Sequence, residues 1–178
     1  VPDSYLVIGG VRYSSVASVP LLELDLDDRI VYNFHCYEPF IFTHQGAYWV
    51  ENMPSDFRTG YPRKLEEYRE IARSWNLQEE VAGLIYKDGV SEIGEAFFEQ
   101  IFEPALRKAQ KDQVPLYCGE YGVIDLADSQ DTLRWLKDIH AVMKRHGIGR
   151  ALWNYKEKDF GFVGESFSSI REDFIKAL

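Results

Sequence analysis

The chain has 178 residues and a formal charge of −9, from 29 acidic against 20 basic side chains. At ~150 residues per domain this is one domain, and its 46% hydrophobic residues are enough to fill a core. The acidic balance is the wrong sign for gripping a phosphate backbone, which argues against a nucleic-acid partner, and no apolar run approaches the ~20 residues of a membrane span. The opening VPDSYLVIGG has no basic segment, apolar stretch or cleavage site of a signal peptide, so the chain reads as cytoplasmic or already processed.

In chain order, short β-rich runs are predicted at Tyr5–Gly10, Ile30–Tyr37, Pro115–Tyr121 and Gly149–Tyr155, each bounded by turn residues. Helical patterns lie between and after them. The first, near 16–24, is short. Residues 44–90 mix aromatics, charges and Pro/Gly punctuation with a helical patch at 64–75, and read as a long insertion after the second strand. A helix over Ser91–Lys111 carries Ile93, Phe97, Ile101 and Ala105 at a four-residue step, with Ser91 as its cap and Pro104 predicting a kink or an early end. Another over Asp131–His146 aligns Leu133, Leu136, His140 and Met143, with Asp131 to cap it and Gly147 to stop it. A last helix is predicted at 167–177. Strand and helix thus alternate four times, which implies a parallel sheet covered by helices, as an open sheet or as half of a closed barrel. A full eight-unit barrel takes about 250 residues, more than this chain has.

The chemistry concentrates on two strands. In the second, the two-residue period sets Asn33, His35 and Tyr37 on one face and Phe34 and Cys36 on the other. A polar face on a buried strand is costly unless its members have partners, and in a parallel barrel catalytic groups sit at the strands' C-terminal ends. The third strand ends in Glu120 between Gly119 and Tyr121-Gly122, where glycine lets backbone or ligand come close to a presented carboxylate. Strict alternation places Cys118 on the Glu120 face and Cys36 opposite His35, so no disulfide is expected between the two cysteines. Trp153 in the fourth strand suits either a core indole or the floor of a sugar pocket. Phe40, Phe42, Tyr48 and Trp49 need a local core or a flat ligand. Phosphate-loop, dinucleotide, HExxH and GxSxG motifs do not occur, and His35, His44, His140 and His146 have no ligand spacing with the thiols, so no cofactor or metal is implied. The acidic run Glu23–Asp28 reads as a solvated turn rather than a calcium loop.

Three segments, YNFHCYEPFIFTHQGAYW at 32–49, PLYCGEYG at 115–122 and ALW at 151–153, closely resemble glycoside hydrolase family 5, the cellulase-like family. The resemblance covers the C-terminal half of that family's (β/α)8 barrel, its strands five to eight, and so implies a single (βα)4 half-barrel over 1–178 with the insertion at 44–90. It implies that Glu120 is the catalytic nucleophile, that His35 and Tyr37 serve it, and that Trp153, Trp49 and His44 bind substrate. The family's acid/base glutamate follows an asparagine, and this chain contains no Asn-Glu dipeptide. Retaining hydrolysis needs two carboxyls about 5–5.5 Å apart, one attacking and one protonating the leaving oxygen, so the chain alone is expected to be inactive. The reading is therefore the nucleophile-bearing half of an endo-1,4-β-glucanase, with mannanase or xyloglucanase as other activities and a non-catalytic carbohydrate-binding or self-assembling half-barrel as the alternative. The implied partners are a β-glucan or related polysaccharide and a missing N-terminal half, or a second copy meeting the exposed sheet edges. Secretion or a cell-surface location is what the family implies.

Overall fold

The computed structural model describes residues 4–24, 29–78 and 91–178. The acidic run at 23–28 and the end of the insertion lie partly outside them. Among the described residues the strands are β1 (Leu6–Gly9), β2 (Ile30–Cys36), β3 (Arg63–Lys64), β4 (Glu92–Ile93), β5 (Leu116–Tyr121) and β6 (Gly149–Arg150). The main sheet runs β1-β2-β5-β6 with every neighbouring pair parallel, while β3 and β4 make a small antiparallel ribbon. The chain crosses from β1 to β2 through a 3₁₀ turn at Val16–Leu21, and longer crossovers use α2 (Glu95–Asp112) and α3 (Ser129–Arg145). Helix α1 (Leu65–Ser74) lies in the insertion and α4 (Arg171–Ala177) closes the chain. The fourth strand is shorter than its sequence run. Beyond Arg150 only single hydrogen bonds follow β5, from Ala151 N–H to the Cys118 carbonyl and from Trp153 N–H to that of Tyr121.

Burial along β2 alternates strictly, with Ile30, Tyr32, Phe34 and Cys36 buried and Val31, Asn33 and His35 half-buried. The buried set packs on the helix layer, where Phe34 meets Phe102 edge to face and Phe98 meets Trp135. Helix α2 continues across Pro104 to Asp112 rather than ending there, because Phe97, Phe98, Phe102, Ala105 and Ala109 bury one face on both sides of the proline. Its N-cap is Gly94, not Ser91. Helix α3 buries Leu133, Leu136, His140 and Met143 as their spacing requires, and Gly147 comes after its end in the left-handed conformation. Its cap is Asp128, whose Oδ1 accepts from Gln130 and Asp131 N–H, because Asp131 is committed elsewhere.

That commitment is to the insertion. Asp131 Oδ2 accepts from Tyr61 N–H (3.0 Å), Arg134 Nε donates to the Tyr61 carbonyl (3.1 Å), and Tyr61 Oη donates to Asp138 (2.7 Å). Residues 131, 134 and 138 are one turn apart on α3, so a single helix face grips one residue of the insertion. Buried Gln45 ties its start, donating to the Phe42 carbonyl and accepting from Thr59 N–H.

The register between β2 and β5 corrects one expectation. Phe34 lies opposite Cys118, but the next pair is His35 opposite Glu120, so β5 holds one extra residue, Gly119. This bulge reverses the facing of the residues beyond it. Cys118 therefore shares the helix-facing side with Phe34 and Cys36, all fully buried, and Glu120 turns to the opposite side with His35. The two cysteines are free thiols on the same face, not on different ones.

This packing gives two expected outcomes. A Cβ at Gly119 would lie 2.3 Å from Asn33 Oδ1, so Gly119→Ala must push Asn33 aside, and we expect a loss of about 1–3 kcal/mol in chemical denaturation. An unchanged midpoint would show that Asn33 moves freely. On the outer surface Arg145 reaches from α3 to Glu95 and Glu99 of α2, and His146 Nε2 lies 2.7 Å from Glu99. Burial opposes ionisation of Glu99, but hydrogen bonds from His146 and Arg145 outweigh it and hold the carboxyl below its usual range. A depressed folded-state value contributes stability above the unfolded value of ~4.3, lost as pH falls through the folded one. Melting temperature should accordingly fall less between pH 5 and pH 3 in Glu99→Gln than in the parent chain, and parallel curves would exclude the effect.

Candidate active site

The bulge brings three side chains of neighbouring strands together. Tyr37 Oη donates to Glu120 Oε2 at 3.0 Å, and His35 Nδ1 lies 3.5 Å from the same oxygen. Asn33, one pleat below on β2, places its Nδ2 3.3 Å from His35 Nε2. With Asn33 donating to Nε2, the imidazole carries its proton on Nδ1, facing the carboxylate. Both contacts fall on Oε2, and among the described residues Oε1 has no hydrogen-bond partner. Burial first, then the charge of Glu120, pushes the Tyr37 phenol above its ordinary range, so it stays a donor at any working pH.

The strand end is held from several sides. Trp135 Nε1 of α3 donates to the Glu38 carbonyl (2.9 Å), Tyr37 N–H donates to Glu38 Oε2, and Thr43 Oγ1 donates to the Tyr37 carbonyl (2.5 Å). Burial raises the Glu38 carboxyl's pKa on the thiol side of the sheet, where Cys36 lies beside it. Glu38 thus faces away from the Tyr37 ring. Since the Thr43 hydroxyl proton is used on Tyr37, His44 Nδ1 at 3.0 Å from Oγ1 is the donor of that pair, and His44 Nε2 is left as an acceptor. Burial pushes the His44 imidazole down to about 3, so it is neutral. It stacks on Phe40 at 3.8 Å, meets Tyr37 edge to face and lies tilted against Phe160.

These groups line a cavity of about 610 Å³ with Trp49, Val50, Trp153, Lys158, Asp159 and Tyr13. All six residues singled out in the sequence, Glu120, His35, Tyr37, Trp153, Trp49 and His44, therefore share one cavity. Trp49 and Trp153 are each about two-fifths exposed, with apolar faces open to a ligand. Gly122 explains the approach of Trp153, because a Cβ there would lie 2.2 Å from the Trp153 carbonyl oxygen. Sequence reasoning did not single out Asn33 as the residue that sets the His35 tautomer, although its place on the His35 face was the available signal. It also missed Phe160 and Asp159, which lie in a loop without periodicity, and Tyr13, which sits in the short left-handed turn Val11–Ser14. Among the described residues no group of three His, Cys, Asp or Glu side chains is placed to hold a metal, and no helix is long and apolar enough to cross a membrane.

Comparison with known proteins identifies the family. The model of the cellulase family, glycosyl hydrolase family 5, matches residues 2–159. Cellodextrinase A of Ruminococcus flavefaciens is 38% identical over 149 residues, which are 84% of this chain and 36% of that protein. Endoglucanase C of Acetivibrio thermocellus is 34% identical over 179 residues, covering 98% of this chain and 50% of the relative. A solved endoglucanase superposes with a TM-score of 0.71 at 22% identity, covering 98% of this chain and 48% of its own. The chain spans half or less of these relatives, and its α/β fold with a parallel sheet is that of half a TIM barrel. By its family match and these relatives, the chain belongs to glycosyl hydrolase family 5.

Proposed function

We propose that this chain is the nucleophile-bearing half of a retaining endo-1,4-β-glucanase. The observation that carries the reading is the double contact on one oxygen of Glu120, from Tyr37 Oη and His35 Nδ1, inside an aromatic-walled cavity. In a double displacement, Oε1 attacks the anomeric carbon, the glycosidic C–O bond breaks, and a glycosyl ester forms on Glu120. Tyr37 and His35 hold the carboxylate so that one lone pair points at the sugar, and they balance charge on Oε2 as the ester forms and is hydrolysed. Trp153 and Trp49 offer apolar faces to pyranose rings, and a sugar hydroxyl can donate to neutral His44 Nε2. Two relatives carry the names endoglucanase and cellodextrinase, which supports a β-1,4-glucan as substrate.

The leaving oxygen needs a proton donor on the other side of the bond. Glu38 faces away from the cavity, and the chain has no Asn-Glu dipeptide of the kind that carries the donor in the family. The donor is therefore assigned to a further half-barrel, and the chain alone is expected to be inactive on polysaccharide. Tyr5, Leu6 and Val7 on the β1 edge are all more than half exposed, which suits pairing with such a half or with a second copy. A polymeric substrate outside the cell would require export.

The nucleophile can be tested without the missing donor. A 2-fluoro-β-cellobioside with fluoride or dinitrophenolate as leaving group departs without protonation. Incubated with the purified chain, it should add one glycosyl mass to Glu120, read by intact and peptide mass spectrometry, and Glu120→Gln should stay unlabelled. Labelling elsewhere, or none at any concentration, would sink the assignment and favour a non-catalytic binding module. In a complementation assay with an N-terminal half, Tyr37→Phe removes a hydrogen bond to a charged group worth ~1.5–3 kcal/mol. We expect a fall in kcat of about 10- to 100-fold with little change in KM. A mutant as fast as the parent would show that Tyr37 does not orient the nucleophile.

A further inference from the structure

A second cavity, of about 350 Å³, opens on the insertion and is lined by Asn52, Trp75, Asn76 and Gln78. None of these four described residues carries a charge, although the chain as a whole is acidic. Trp75 comes directly after the last residue of α1 and is 39% exposed, and its ring plane is fixed by an edge-to-face contact with buried Phe57 at 5.3 Å and 89°. Among the described residues, neither the indole N–H of Trp75 nor the side-chain amides of Asn52, Asn76 and Gln78 hydrogen-bond to the protein. Among the described residues an open indole thus stands among three amides without protein partners, each able to donate and to accept.

A β-linked pyranose has the matching surface. Its ring offers a flat array of C–H groups to an aromatic face, and its equatorial hydroxyls both donate and accept at the rim. Among the described residues an ionic ligand would find no counter-charge in this cavity, and a purely apolar one would leave the amides without partners. The cavity also shares a turn with the cleft. Trp49 and Val50 line the cavity that holds Glu120, Asn52 lines the second, and the turn is closed by hydrogen bonds from Val50 to Ala47 and from Met53 to Val50. We infer that Trp75, Asn52, Asn76 and Gln78 form a second β-glucan-binding site on the insertion, separate from the cleft. The inference rests on the reading of the chain as glucan-directed. A site there holds polymer beside the cleft and raises its local concentration without taking part in the chemistry.

The chain has four tryptophans, at 49, 75, 135 and 153, so replacing them with 5-fluorotryptophan gives four ¹⁹F resonances that single Trp→Phe variants assign. The probe is cellohexaose titrated into the 178-residue chain. The Trp75 signal should shift along its own saturation curve, those of Trp49 and Trp153 along a different one, and fully buried Trp135 should stay put. Asn52 and Asn76 both have positive φ, +61° and +55°, so Asn52→Gly with Asn76→Gly keeps both turns and removes only the amides. The double variant should weaken the Trp75 isotherm about tenfold and leave the Trp49 and Trp153 curve in place. A Trp75 isotherm unchanged in that variant overturns the site. So does a titration in which Trp49 and Trp153 move and Trp75 does not, with the glucan reading of the cleft left standing. Movement of Trp75 alone supports the second site and removes the cleft reading, and a titration that moves none of them removes both.

Discussion

The arrangement depends on pinning one oxygen of a carboxylate while leaving the other bare. Glu120 meets this because β5 carries one residue more than β2 between Cys118 and Glu120. Under regular pairing, alternation from buried Cys118 would put Glu120 against the helix layer, where an ionised group is costly. With Gly119 as the extra residue, the carboxylate crosses to the face where His35 and Tyr37 already point. Glycine suits that place, because the Asn33 side chain occupies the space a Cβ would need. The same Asn33 sets the tautomer of His35, so the bulge and the imidazole's orientation are settled by one side chain.

The sequence made the strands and the α3 stripe legible, since each is written in a period or in a turn residue. The period of two along 31–37 named the face of His35 and Tyr37 correctly, and Leu133, Leu136, His140 and Met143 are buried as spaced. What it hid was any feature one residue long. A bulge leaves no mark in hydrophobicity, so the facing of Cys118 came out reversed while that of Glu120 against His35 came out right. The caps failed for a related reason. Asp131 has the right type and place for an N-cap, but it is spent on Tyr61 N–H, seventy residues away, and Asp128 caps instead. Pro104 misled because propensity is local, whereas the apolar face that carries α2 past it is tertiary.

Burial at the site works in one direction on two groups. It holds the Tyr37 phenol protonated and the His44 imidazole neutral, so both present hydrogen-bonding groups without adding charge. On the proposed reading a neutral polyol suits such a wall, because its hydroxyls can satisfy an acceptor at His44 Nε2 while its ring lies on Trp49 or Trp153. The insertion is part of this wall. Its start supplies His44 and Trp49, and its grip on α3 through Tyr61 carries the order of the core out to them.

On the proposed reading, the open face of the sheet and the missing proton donor are one problem. The Glu120 side chain is 30% exposed and that of His35 21%, so water reaches the carboxylate and competes for the oxygen that must attack. Strands packed along β1 would cover Leu6 and Val7, close the interior over Tyr37 and His35, and exclude that water. Drying the site strengthens both contacts on Oε2, because each then acts at a lower effective dielectric. A partner that merely donated a proton from outside would leave the nucleophile solvated, and one that merely covered the sheet would leave the leaving oxygen unprotonated. Hydrolysis needs both from the same surface, which favours a complementary half-barrel that carries the donor carboxyl over a second copy of this chain.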